Sequence, residues 1–151
     1  MKKFIAMTAI SLCIGLVAVR TAFAGQMPGA HPAYLHALTD MREARANLEK
    51  RAGDAQMKWD ENTAIKKIDD AINEIKKASI NDGKGLKDHP AVDAKLDRKG
   101  RLHHALELLE RAHKDIKEKE SNNNDQGLQK RALEHLDSAI NFTKQGIANS
   151  K

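Results

Sequence analysis

The chain has 151 residues, with 26 basic and 21 acidic side chains and a formal net charge of +5. Aromatic residues make up only 3% of it, too few for the stacking surfaces of proteins that bind single-stranded nucleic acid. Its one cysteine, Cys13, lies in an apolar segment near the N-terminus. The rest of the chain therefore has no disulfide, no cysteine nucleophile and no cysteine-attached haem.

Residues 1–24 have the three parts of a cleavable export signal. Two lysines precede an apolar run over residues 4–19, and Ala22-Phe23-Ala24 is a small-x-small cleavage pattern. The run is shorter than the roughly 18 residues expected of a membrane-spanning helix. We therefore expect cleavage after Ala24, a periplasmic or secreted protein with no stable membrane span, and a single domain over residues 25–151.

Loss of this segment also changes the charge balance. Lys2, Lys3 and Arg20 leave without any acidic residue, so 23 of the 26 basic residues remain against 21 acidic ones, a net charge of +2. A nearly balanced surface offers no electrostatic basis for binding nucleic acid. We expect no nucleic-acid partner.

The remaining chain contains one motif twice, at a constant offset of 68 residues. His36-Ala37-Leu38 returns as His104-Ala105-Leu106, and Ala71-Ile72-Asn73 returns as Ala139-Ile140-Asn141. A constant offset between similar segments indicates a duplicated structural unit.

Apolar residues recur at helical spacings of three and four in four segments. The first expected helix has Pro32 in its first turn, and the second runs from near Trp59 to Ile80. The third runs from about Asp97 to Glu120, and the fourth follows the turn sequence 121–125 and ends at about Asn149. These segments predict an all-α protein, a four-helix bundle built from two tandem antiparallel helical hairpins. The hairpins cover about residues 31–80 and 97–149, and a polar linker covers about 81–96.

An up-down-up-down bundle with a pseudo-two-fold axis is the arrangement we expect from this repeat. A long-crossover bundle, or a dimer of open hairpins, would bury the same apolar stripes. In the up-down-up-down arrangement the first and third helices begin at the same end of the bundle, and the linker crosses there.

That end would collect five histidines, namely His31, His36, His89, His103 and His104. Imidazoles on converging loops and helix starts bind copper, zinc or nickel, so these five residues form a predicted metal site. The alternative is a set of solvated surface histidines without a ligand.

Charged residues accompany the inward apolar stripes. Arg45 and its repeat equivalent His113 lie on the inward line, and Asp69 and its equivalent Asp137 flank it. We expect a polar layer that fixes helix register. The sequence leaves open which of the two aspartates pairs with Arg45 and which pairs with His113.

A haem between the helices is a further alternative, with Met41 and His113 as the inward axial pair. Glu110-x-x-His113 matches the element of di-metal carboxylate bundles. The equivalent positions in the first hairpin are Arg42 and Arg45, so this element occurs once only.

The chain has no phosphate-binding glycine loop, no Gly-x-Ser-x-Gly elbow and no evident triad, so we expect a non-enzymatic protein. Two function classes remain. One is transition-metal binding by the five histidines. The other is a protein-interaction or chaperone-like scaffold of the cell envelope, with exposed apolar positions such as Leu108 and Phe142 as contacts.

Overall fold

A computed structural model of the chain describes residues 32–54, 56–78, 82–117 and 123–150. Its regular elements are four α-helices: α1 (Pro32–Leu48), α2 (Glu61–Ala78), α3 (Arg98–Ile116) and α4 (Asn123–Ala148). The all-α, four-helix prediction is confirmed. The export segment and His31 lie outside the described residues.

Local hydrogen bonds explain where the helices begin. Pro32 opens α1, where its missing N–H has no helical partner to lose. The Asp60 carboxylate accepts a 2.9 Å hydrogen bond from Thr63 N–H, which makes Asp60 an N-cap and starts α2 two residues after Trp59. Asp97 caps α3 in the same way, accepting from Gly100 N–H at 2.7 Å.

Each helix packs against two others. The α1 helix contacts α3 and α2, and the α4 helix contacts α2 and α3, so α1 and α4 lie on one diagonal and α2 and α3 on the other. The most extensive contacts are those of α2 with α4 and of α1 with α3. Contacts between the two hairpins are therefore more extensive than the contacts between the two helices of either hairpin. The core is formed by alanine, leucine and isoleucine together with Tyr34 and Met41.

Side-chain pairs across the α1–α3 boundary reverse the expected helix directions. Asp40 pairs with Arg111, and Glu43 lies against His104, so residue numbers rise along α1 as they fall along α3. The two helices are antiparallel and begin at opposite ends. The up-down-up-down arrangement is therefore wrong, and the long-crossover bundle is the observed one.

The crossover has ample length for this path. The α3 helix has 19 residues and is about 28 Å long. An extended chain covers about 3.3 Å per residue, so residues 79–97 can return along the whole bundle. Both arrangements bury the same stripes, which is why the apolar pattern alone did not distinguish them.

Polar contacts attach the crossover to α1. The buried guanidinium of Arg42 pairs with Asp82 at 2.8 Å and also donates to the Lys84 carbonyl oxygen. Further along, the Arg51 side chain donates to the Asp93 carbonyl oxygen at 3.4 Å. The linker thus runs beside α1 from its middle toward its C-terminal end.

The polar pairs between the helices recur at the 68-residue offset of the sequence repeat. Arg45 Nε lies 2.8 Å from Asp69 Oδ1, and His113 Nε2 lies 3.2 Å from Asp137 Oδ1. Each pair joins the two helices of one hairpin, and the four residues are related by the 68-residue offset. The duplicated unit therefore includes one cross-helix polar pair as well as its apolar stripe.

Candidate binding surface

The two copies of the His-Ala-Leu motif lie on α1 and α3, which contact each other through the Asp40–Arg111 and Glu43–His104 pairs. We call the solvent side of the boundary between these helices the α1–α3 face, formed by His36, Asp40, Glu43, His104 and Arg111. Its centre is the Asp40–Arg111 pair, in which Arg111 Nε and Nη2 donate to the two carboxylate oxygens at 3.0 and 2.9 Å. This hydrogen-bonded carboxylate raises the pKa of the Arg111 guanidinium.

A surface cleft of about 400 Å³ lies at the His36 end of this face. Its lining side chains are His36, Thr39, Asp40, Arg111, Lys114 and Asp115. The cleft combines donors with carboxylates, and no apolar side chain lines it. Such a lining suits a polar ligand or a charged segment of a partner protein.

At the other end of the face, His104 lies between two carboxylates. Its Nε2 is 3.1 Å from Glu43 Oε1, and its Nδ1 is 3.7 Å from Glu107 Oε2. The His104 ring is about one-third exposed, whereas Glu107 is largely in solvent. Because the two ring nitrogens point in different directions, only Glu43 can share a ligand with Nε2.

Of the five predicted metal ligands, the four that the structure describes are not brought together as one group. His36 lies beside Lys114 and Asp115 near the end of α3, whereas His103 and His104 lie near its start. In the crossover, the Nδ1 atom of the exposed His89 lies 2.7 Å from the carbonyl oxygen of Pro90. The predicted convergence is wrong because α1 and α3 begin at opposite ends of the bundle.

Across the described parts of the chain, no group of three or more histidine, cysteine, aspartate or glutamate side chains is positioned to hold one ion. His31 falls outside these parts. The four described histidines are therefore not arranged as the predicted five-histidine metal site requires.

The haem alternative also meets an obstacle in the side chains. Met41 is fully buried among the apolar core residues. His113 directs Nε2 to Asp137, so the nitrogen that an iron ligand would use is already paired. The Met41–His113 pair remains a prediction without support from this arrangement.

One apolar contact position was assigned wrongly from the sequence. Leu108 is only 1% exposed, because α3 packs against both α1 and α4 and buries a wider stripe than a single neighbour requires. Phe142 is partly buried against the core. Among the described residues, the exposed large apolar side chain is Leu35, at 41%.

A cluster of arginines at the α1–α2 turn was missed by sequence reasoning. Asp54 Oδ2 accepts hydrogen bonds from Arg51 N–H and from the side chains of Arg98 and Arg101, and Arg98 also pairs with Glu61. Burial raises the pKa of the Asp54 carboxyl, but these hydrogen bonds outweigh it and lower the pKa to about 2. The Gly53-Asp54 pair is typical of a turn, but nothing in its local sequence indicates that Asp54 has partners more than 40 residues away.

The chain matches no protein-family model, no curated protein and no solved structure. Within the described residues, none of the helices combines the length and the apolar character needed to cross a membrane. Function must therefore be inferred from the residues themselves.

Proposed function

We propose that this chain is an exported, non-enzymatic binding protein of the cell envelope and that the α1–α3 face is its binding surface. One observation carries the proposal. The repeated motif places Ala37, Leu38 and Ala105 in the core, but His36 is exposed and His104 is partly exposed. Core packing explains why the apolar residues recur, whereas it gives no reason for the two histidines to recur beside them.

The export part of the proposal rests on residues 1–24. Expression of the full chain with its own N-terminus should yield a periplasmic or secreted product that starts at Gly25, as read by intact mass. A product that retains these residues in the cytoplasm would contradict export.

A protein partner with a polar, charged contact surface fits the face best. The cleft and the Asp40–Arg111 pair present both signs of charge within a short distance, and complementary charges fix the register of such interfaces. Side-chain amides, carboxylates and basic groups of a partner could all be satisfied there.

A matched pair of variants tests this surface. Arg111→Gln with Lys114→Gln removes two positive charges from the α1–α3 face, and Lys66→Gln with Lys130→Gln removes two from exposed positions on α2 and α4. Envelope proteins captured by the immobilised mature chain should be lost with the first variant and retained with the second. Equal capture by both variants would contradict the assignment of this face.

A transition metal at Glu43 and His104 is the second candidate ligand. In tetrahedral coordination, nitrogen and oxygen ligands that are each about 2.0–2.2 Å from zinc lie about 3.4 Å apart. The 3.1 Å between His104 Nε2 and Glu43 Oε1 would therefore need to widen by only a few tenths of an ångström. Copper, zinc or nickel could bridge these two atoms and complete its coordination with water.

Calorimetric titration of the mature chain with copper, zinc and nickel salts distinguishes this candidate. Binding should disappear in His104→Ala and persist in His135→Ala, which removes a histidine from α4. No binding by the unaltered chain would eliminate the metal candidate and leave the protein partner. Binding that survives His104→Ala would contradict the proposed pair.

A further inference from the structure

Met57, in the turn between α1 and α2, has an unusual partner. Arg98 Nε donates to the Met57 sulfur at 2.9 Å, so one sulfur lone pair is occupied. The guanidinium is itself restrained, because it donates to Asp54 at 2.8 Å and pairs with Glu61. The donor therefore approaches the sulfur from one fixed direction.

The Met57 side chain also borders a surface cleft. Met57 is partly buried and lines a surface cleft of about 430 Å³, together with Gly53, Arg98, Asn149 and other polar residues. The other methionine in the described residues, Met41, is fully buried in the core. The chain thus contains a thioether beside a surface cleft and an internal reference that is protected.

We propose that Met57 is a site of oxidation by hydroperoxides and that Arg98 makes the oxidation stereoselective. The free sulfur lone pair attacks one peroxide oxygen, the O–O bond breaks, and an S–O bond forms. The sulfur loses two electrons and the hydroperoxide gains them. The proton of the attacked oxygen passes to the other oxygen, which leaves as an alcohol or, from hydrogen peroxide, as water. Susceptibility of methionine and cysteine sulfur follows exposure, which favours Met57 over Met41.

Stereoselectivity follows from the occupied lone pair. Oxidation of methionine makes the sulfur a chiral centre, and each of the two lone pairs gives one epimer. Because Arg98 holds one lone pair, the reagent reaches the other, and one epimer should form in excess. A methionine that is merely exposed would give both epimers in similar amounts.

The test uses the full mature chain, treated with dilute hydrogen peroxide and analysed by peptide mass. Met57 should gain one oxygen at least about tenfold faster than Met41. The two classes of methionine sulfoxide reductase each reduce one epimer, so one class alone should remove most of the Met57 sulfoxide. The same peroxide treatment in urea, where Arg98 no longer contacts the sulfur, should give a product that needs both classes.

Two variants test whether the Arg98 Nε donor itself causes the epimer preference. Arg98→Lys keeps a positive charge near Asp54 and Glu61 but removes the Nε donor, and it should abolish the epimer preference. Arg111→Lys, on the α1–α3 face, should leave the preference unchanged. Met57 oxidation no faster than that of Met41, or an equal epimer mixture in the folded unaltered chain, would overturn the proposal.

Discussion

Asp54 connects the first hairpin to the second through a single carboxylate oxygen. It accepts from Arg98 and Arg101, and Arg101 is only 1% exposed and also donates to the Glu49 carbonyl oxygen. Within the described parts of the chain, Asp54 is the carboxylate that pairs with the buried Arg101 guanidinium. The free-energy cost of removing Asp54 should therefore include an uncompensated buried charge.

We expect Asp54→Asn to lower the free energy of unfolding by about 3–5 kcal/mol, the range for breaking a buried ion pair on one side. Urea denaturation followed by circular dichroism measures the change. Asp70→Asn is the matched control, because Asp70 pairs with the exposed Lys66 and the loss of this surface pair should cost at most about 1 kcal/mol. Similar losses in the two variants would show that Asp54 does not hold the hairpins together.

The lowered pKa of Asp54 also sets a pH dependence. The folded-state pKa is about 2, against 3.8 for an unperturbed aspartate, so the carboxylate stabilises the fold above pH 4 and this contribution is lost as pH falls from 4 toward 2. The shift corresponds to about 2 kcal/mol. The stability difference between the unaltered chain and Asp54→Asn should therefore shrink between pH 6 and pH 2.5, measured by urea denaturation at each pH. A difference that stays constant over this range would contradict the assigned pKa.

Close packing of α4 against the start of α2 depends on a glycine. A Cβ atom added at Gly146 would lie 2.9 Å from the ring of Trp59, which is closer than real Cβ contacts allow. At Gly127, also in α4, the nearest atom would be the flexible Arg131 Nη1 at 3.6 Å. Substitution by alanine should therefore have opposite effects on stability at the two glycines, although both lie in α4.

We expect Gly146→Ala to destabilise the protein by about 1–3 kcal/mol, as overpacking does, and to shift the fluorescence of Trp59, the single tryptophan. Gly127→Ala should instead stabilise by up to about 1 kcal/mol, because alanine favours the helix. Urea denaturation and the emission maximum measure both effects. Equal stability changes in the two variants would contradict the close approach of Trp59.

At the scale of helices, sequence reasoning was successful where the signal is local. Apolar spacing predicted all four helices, and Pro32 marked the start of the first correctly. The start of α2 depends on a single cap, because the Asp60 side chain begins the helix at Glu61. Leu108 was misplaced because its burial depends on which helices flank α3, a property of the assembled bundle.

At the scale of the whole molecule, helix direction decides where the functional candidates lie. The apolar stripes of the two hairpins can pack with α1 and α3 parallel or antiparallel, and a crossover over residues 79–97 is long enough for either. The sequence pattern could therefore predict the duplicated hairpin but not the end of the bundle at which each histidine lies. The pairs Asp40–Arg111 and Glu43–His104 reveal the antiparallel packing.

The antiparallel α1–α3 face underlies both the fold and the proposed binding surface, and engineered disulfides test it most directly. The chain without residues 1–24 has no cysteine, so introduced pairs form without competition. His36→Cys with Asp115→Cys joins two residues that line the same cleft, whereas His36→Cys with His104→Cys joins repeat equivalents that would be neighbours only if the helices were parallel. Under mild oxidation, we expect the first pair to form an intramolecular disulfide and the second to remain reduced. The reverse result would contradict the crossover bundle and the binding surface derived from it.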